Sequence, residues 1–494
     1  MKKTLSLLLC LCLMGSLVSL VSAEEAGEAR QDRLSVTRHT AVIQGREIAY
    51  TATAGTLAMT LPQGQCDLFF TAYTLDGVED PASRPITFAW NGGPGAASAF
   101  VNLGFMGPER VEFDENGKVL RVPSRVIPND CSLLDLTDLV FIDPVGTGYS
   151  RAAEGTDPKA FYSYTDDIAS VSEFIRLYVS RNGRWASPKY LAGESYGTVR
   201  NAGVADYLLN KAHMALNGIM MISSANNYGA DEFKPGNDLP YVSFFPTYAA
   251  IAWYHKKAAD SFLAMSLEDF MREARAFAEG EYQAALFRGD RLDTEEKEAL
   301  AAKMSEYIGL DRQLILRQNL RINGDTFCTG LLSDEALVVG RIDGRYSGPA
   351  VSGSMEGGDA DPSMAGIVEA YTAAISDVIG RGLGYQTDLS YEILSNEVNE
   401  KWDFSPFSNR YLSQEKMIHD CMSKNPFMKV WVVCGYYDLA TPFFAAEWTY
   451  GHLFLNEEFK KNLSFTYYPA GHMFYLHQAS LEQFRRDAEK WFGA

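Results

Sequence analysis

Residues 188–197 read Pro188-Lys189-Tyr190-Leu191-Ala192-Gly193-Glu194-Ser195-Tyr196-Gly197, and Ser195 is the only serine of the chain with glycine two places before and two places after it. Pro188 to Ala192 reads as a short buried strand, and Tyr196 to Lys211 continues with apolar residues at helical spacing. The stretch predicts a strand, a sharp corner and a helix, with the serine at the corner. A serine hydroxyl is a poor nucleophile until a fold exposes it beside a base. Flanking glycines leave room for such a corner and free backbone N–H groups to bind an oxyanion. Gly-x-Ser-x-Gly also arises by accident, so the partners of Ser195 must come from the rest of the chain.

Working outward, Pro85 to Trp90, Leu139 to Ile142 and Ile219 to Ile222 are further continuous apolar runs, and Tyr164 to Ser180 has an amphipathic helical period. Such runs alternating with helices indicate an α/β fold, a mostly parallel central sheet with helices on both faces. Ahead of them, His39 to Thr74 reads as consecutive short strands broken by Gly and Pro turns. After Ser224 the pattern breaks, and helices are expected over Phe244–Lys257, Leu267–Glu279, Thr294–Ile308 and Arg312–Leu320. Ser347 to Ser363 reads as a loop; its Asp359 and Asp361 fit a flexible acidic connection better than a cation site. Buried strands return at Val430–Cys434 and Leu463–Tyr467. The expected organisation is a signal peptide (1–23), a first core part (24–225), a largely helical cap insertion (226–385) and a second core part (386–494).

The 494 residues are 47% hydrophobic, enough for a large interior, and the formal charge of −19 argues against nucleic acid or an anionic membrane surface as partner. Lys2-Lys3, the apolar stretch Leu5–Val21 and the small residues Val21-Ser22-Ala23 read as a cleaved export signal, so the protein is expected in the periplasm or secreted, with no integral membrane segment left after cleavage. Five cysteines then remain, Cys66, Cys131, Cys328, Cys421 and Cys434, an odd number with no C-x-x-C pair. With the histidines dispersed as well, no metal and no cofactor is expected.

In this fold class the partners of the serine follow in the order acid, then histidine, just past late strands. Asp438 follows 430–434 in Gly435-Tyr436-Tyr437-Asp438, and His472 follows 463–467 in Pro469-Ala470-Gly471-His472. His213, His255, His419, His452 and His477 read as surface or core residues, and His452 and His477 fall within apparent helices; Asp403 and Asp420 compete with Asp438 but follow no buried strand. Asn91-Gly92-Gly93-Pro94-Gly95 lies directly after the strand 85–90, where the N–H groups of Gly93 and Tyr196 can hold a tetrahedral oxygen. Asp143 to Ser150 contains Gly-x-Gly without a third glycine three residues on, which argues against dinucleotide binding.

Together, residues 91–95, 143–150, 193–197, 435–442 and 471–473 resemble the serine carboxypeptidases, and among them the exported bacterial branch. The resemblance implies an α/β-hydrolase fold and a serine-type carboxypeptidase that releases C-terminal amino acids through an acyl-enzyme. It implies Ser195, Asp438 and His472 as the triad, Gly93 and Tyr196 as oxyanion donors, and a site for the terminal carboxylate of a peptide made by Asn91, the Gly92 N–H and Glu194. An esterase or acyltransferase on the same fold is the alternative; a non-catalytic binding protein fits less well, since all three triad residues are present. Ala96-Ala97-Ser98 departs from the Cys-Ser-Ser of many relatives, and Phe474-Tyr475 stands where Val-Pro is more usual. The aromatics Phe244, Phe245, Tyr248, Trp253 and Tyr254 suit either a substrate pocket or cap packing.

Overall fold

The computed structural model describes residues 30–349 and 361–493. The expected signal peptide and Asp359 lie outside the described residues. Alternating small, β-branched and aromatic residues build three strands far longer than the apolar runs suggest, β1 (Arg33–Ile43), β2 (Arg46–Leu61) and β3 (Gly64–Leu75). Threonines carry the strands past the apolar stretches, because a β-branched side chain suits a pleated surface whether or not it is apolar. Gln44 and Gly45 turn the first pair with φ of 49° and 71°, the twist that a two-residue hairpin requires.

The remaining strands are β4 (Ile86–Trp90), β5 (Asp138–Ile142), β6 (Lys189–Ser195), β7 (Gly218–Ser224), β8 (Lys429–Gly435) and β9 (Leu463–Tyr468). With a two-residue strand at Arg151–Ala152 off its path, the sheet runs β1-β2-β3-β5-β4-β6-β7-β8-β9. From β5 onward every neighbouring pair is parallel, so the ends after β4, β6, β8 and β9 emerge on one edge. Alternate side chains enter two cores: Phe88, Leu191, Met221 and Val432 on one face, Ala89, Ala192, Met220 and Val433 on the other. Double burial is the reason these strands are continuous apolar runs.

Helices α1 (Tyr164–Arg181) and α2 (Tyr196–Asn210) bury their apolar stripes in the first core. On the second face lies the terminal helix Gln478–Phe492, whose Phe484 stacks on Trp431 at 5.1 Å. The insertion between β7 and β8 is mainly helical. Thr294–Ile308 is bounded as its sequence dictates, by a capping box of Asp293 and Glu296 and by Gly309 at φ 69°. Leu239–Tyr254 turns Phe244, Phe245 and Tyr248 into the cap interior, where Phe245 meets Phe277 and Tyr282 and Tyr248 stacks on Phe327 at 4.3 Å. Residues 386–428 carry no strand of the sheet, which resumes only at Lys429.

All five described cysteines are buried and unpaired. Asp361 is structural: it caps the turn at Pro362 and accepts from the N–H groups of Arg341 and Ile342. Among the described residues no helix is long and apolar enough to cross a membrane.

Candidate active site

Ser195 ends β6 and caps α2 with φ 61° and ψ −129°, a conformation that L side chains rarely adopt. The glycines around it are required by contact: a methyl group on Gly193 would collide with the Gly197 carbonyl, and one on Gly197 would lie 3.0 Å from the Asn91 oxygen. Trp90 Nε1 donates to that Gly197 carbonyl at 2.9 Å, so this fully buried indole fastens the corner from below.

Asp438 and His472 meet at the ends of β8 and β9. His472 Nδ1 lies 2.8 Å from Asp438 Oδ2, and both side chains are buried. Asp438 Oδ1 accepts from the N–H groups of Ala440 and Thr441 at 2.8 and 2.9 Å, and Oδ2 also accepts from the Thr441 hydroxyl at 2.7 Å. The carboxylate is thereby oriented, and its bond to Nδ1 leaves Nε2 as the ring nitrogen free to act as base. Burial alone would lower the His472 pKa, but the charge and hydrogen bond of Asp438 raise it. Ser195 pairs with Ser224 across β6 and β7, and the adjacent Ser223 hydroxyl donates to the His472 carbonyl at 2.7 Å, bringing the histidine segment to the corner.

The turn after β4 packs against the start of α2. A side chain on Gly92 would collide with Tyr196 N, and Gly93 has φ 98°. The Tyr196 N–H belongs to the first turn of α2 and has no intrahelical acceptor. Asn91 Oδ1 accepts from Val101 N at 3.0 Å, which fixes its amide so that Nδ2 donates to Glu194 Oε1 at 3.1 Å. Glu194 is buried, and burial pushes its carboxyl up to about 7 against the opposing pull of His472 and nearby hydrogen-bond donors.

Two supports went unread in the sequence. Arg200 donates to the Asn91 carbonyl and to Asp167, both at 2.8 Å, and pins the turn to α2 from the core. Asp343, held by Arg345, accepts from Gly471 N at 3.1 Å, while His472 N donates to the Ile342 carbonyl at 2.7 Å. A loop of the insertion thus anchors the histidine segment. Nothing in the local pattern of either sequence marks them, since each acts on a residue distant in the chain.

The rival residues lie elsewhere. Asp403 caps Ser405, Asp420 pairs with Lys416, His419 bonds the Leu453 carbonyl, and His255 bonds the Gly344 carbonyl. His452 and His477 were expected within helices; they cap helix ends instead, His452 after Phe443–Gly451 and His477 before Gln478–Phe492. His213 lies in the loop after α2 with φ 53°. The Gly-x-Gly stretch is a structural turn: Asp143 accepts from Ser98 N at 2.8 Å, and any side chain on Gly148 would collide with its carboxyl group. Tyr254, 41% exposed, packs on Tyr437, the residue before Asp438.

The family model described as serine carboxypeptidase matches residues 48–473. The chain belongs to the serine carboxypeptidase family. Among curated members it is 27% identical over 195 residues to serine carboxypeptidase-like 29 of Arabidopsis thaliana, covering 37% of each chain. It is 29% identical over 154 residues to a pheromone-processing carboxypeptidase of Candida tropicalis, covering 30% of this chain and 20% of that one. It is also 32% identical over 141 residues to carboxypeptidase sxa2 of Schizosaccharomyces pombe, covering 27% of this chain and 24% of that one. The matches thus span well under half of each curated relative. The α/β-hydrolase fold is shared with the prohormone-processing carboxypeptidase from Saccharomyces cerevisiae, with a TM-score of 0.57 at 17% identity over 90% of this chain and 91% of that one. Backbone bonds tie the turn to residues 393–395: Ala97 N donates to the Ile393 carbonyl at 2.9 Å, and Ser395 N donates to the Gly95 carbonyl at 2.8 Å.

Proposed function

We propose that the protein is a serine-type carboxypeptidase that removes C-terminal amino acids from peptides, with Ser195, Asp438 and His472 as its triad. The observation that carries this reading is the buried Glu194 carboxyl, held by Asn91 directly before the nucleophile. Two carboxyl groups share a hydrogen bond only if one is protonated, and burial keeps Glu194 protonated below about pH 7, fit to face a substrate carboxylate. A nucleophile beside such a subsite reaches only the last peptide bond.

In the proposed reaction Ser195 Oγ attacks the last peptide carbonyl carbon while His472 Nε2 takes its proton. The resulting oxyanion lies between the N–H groups of Gly93 and Tyr196. His472 returns the proton to the peptide nitrogen, the C–N bond breaks, and the free amino acid leaves. Water, deprotonated by His472, then attacks the acyl-enzyme and regenerates Ser195. The triad, the oxyanion donors and the carboxylate site of Asn91, Gly92 and Glu194 belong to the core parts (24–225 and 386–494), and residues 226–385 form the cap. Lys2-Lys3 and the apolar stretch Leu5–Val21 support export, which N-terminal sequencing of the secreted or periplasmic protein checks by a start at Glu24.

Mass spectrometry of a peptide after incubation tests the reading: residues are expected to leave singly from a free C-terminus, not from its amide, and not with Ser195→Ala. Equal attack on the amidated peptide, or turnover of simple esters alone, would point to the esterase or acyltransferase reading. Failure of a fluorophosphonate to label the folded protein would point to a binding protein.

A further inference from the structure

Three buried polar atoms meet in one place without a hydrogen bond of ordinary length and angle: Glu194 Oε2, the Tyr371 hydroxyl and the Tyr475 hydroxyl, the last lying near enough to Glu194 and Asn91 to interact weakly with both. Their residues are 4%, 0% and 2% exposed. Buried polar groups are almost always well paired, so three such under-satisfied groups together call for an absent partner. Gly104 marks their convergence: a methyl group there would collide with the Tyr475 ring and lie 3.1 Å from the Tyr371 hydroxyl. Burial raises both phenols, and the charge of Glu194 raises both further, which places all three within electrostatic reach. The rings are fixed, Tyr475 stacked on Phe105 at 4.7 Å and Tyr371 against Phe100 at 4.9 Å.

We propose that the Tyr371 and Tyr475 hydroxyls complete the subsite for the substrate's terminal carboxylate, donating to it beside Asn91 and Glu194. This rests on the carboxypeptidase reading and extends it to residues from two further parts of the chain. Tyr371 comes from the insertion helix Ile367–Asp377, and Tyr475 stands three residues past His472. A carboxylate offers about four lone-pair sites, more than Asn91, Glu194 and the Gly92 N–H can fill. Phenols suit the remainder because they keep their protons at every pH where the triad works. Phenylalanine would pack as well on Phe105 and Phe100, so the hydroxyl is the part that packing leaves unexplained.

The test uses Tyr371→Phe, Tyr475→Phe and Glu194→Gln, assayed at pH 5.5 on a blocked dipeptide as free acid and as methyl ester. Each tyrosine variant is expected to lose about tenfold to a hundredfold in kcat/KM on the free acid, mainly through KM, the range for one hydrogen bond to a charged group. Turnover of the ester and the rate of fluorophosphonate labelling are expected to stay within about twofold of the parent, as for loss of one contact to the carboxylate alone. An unchanged acid-to-ester ratio in both tyrosine variants, with Glu194→Gln lowering it, would overturn the tyrosine assignment and leave the carboxypeptidase reading standing. Equal losses on acid and ester would also overturn it, by showing a structural role. Absence of any free-acid preference in the parent protein would remove the carboxypeptidase reading itself.

Discussion

Asn91 Nδ2 donates to Glu194 Oε1 at 3.1 Å, while the other oxygen of the same carboxyl has no hydrogen bond of ordinary length and angle. One oxygen is thereby fixed in place and the other left to face a ligand. In the proposed carboxylate subsite, the protonation state of this one group would govern what is accepted.

Its pH dependence has a definite sign. Burial pushes Glu194 up to about 7, so it is neutral below that pH and ionised above it, where it repels a substrate carboxylate. For free-acid dipeptides kcat/KM is expected to fall toward tenfold per pH unit above about pH 7, as for loss of one essential proton. A methyl ester of the same dipeptide is expected to lack this alkaline limb, and Glu194→Gln to abolish it for the acid. Undiminished peptide turnover at pH 9 would contradict the role given to Glu194.

Asp438 holds His472 through one oxygen and is itself held by Thr441. Asp438→Asn is expected to lower kcat on the order of 10⁴-fold by favouring the wrong tautomer of the histidine. Thr441→Val removes one hydrogen bond to the carboxylate and is expected to cost about tenfold. Equal losses in the two variants, measured by single-turnover acylation, would show that the threonine contributes more than orientation.

The backbone at Ser195 offers a stability test independent of catalysis. At φ 61° and ψ −129° a side chain is strained and glycine is not. Ser195→Gly is expected to unfold at higher denaturant than Ser195→Ala, by about 1 kcal/mol. Both variants are expected to be inactive. A glycine variant no more stable than the alanine one would mean that the corner stores no strain.

Beneath the turn, Arg200 and Asp167 form a buried pair with side chains 1% and 3% exposed. Arg200→Met strands the Asp167 carboxylate and frees the Asn91 carbonyl, and is expected to destabilise by about 3–5 kcal/mol. Adding Asp167→Leu in the same chain should restore much of that loss in equilibrium unfolding, while the acid-to-ester ratio stays low because Asn91 is still unanchored.

Sequence reading located what chain-local patterns encode. Gly193-Glu194-Ser195-Tyr196-Gly197 spelled out a corner, the buried strands announced themselves as apolar runs, and Asp438 and His472 followed from their places after such runs. Hidden from it were groups that act across long separations. Asp343 bonds Gly471, and Arg200 bonds Asn91, through contacts that no local period foreshadows. The bonds of Gly95 and Ala97 to Ser395 and Ile393 use backbone atoms alone and carry no side-chain signature at all. Phe245 and Tyr254 share one helix and one residue class, yet one is sealed in the cap and the other meets Tyr437, a difference set by which neighbour each face meets.

The backbone bonds between 95–97 and 393–395 also set a schedule. Ribosomes deliver a chain from its N-terminal side, so the turn and Ser195 are made long before the strip that holds the turn and the segment that carries His472. A half-made polypeptide therefore has Ser195 without His472 or a fixed turn beside it, and the proposed site is complete only when the last strand of the sheet has been made.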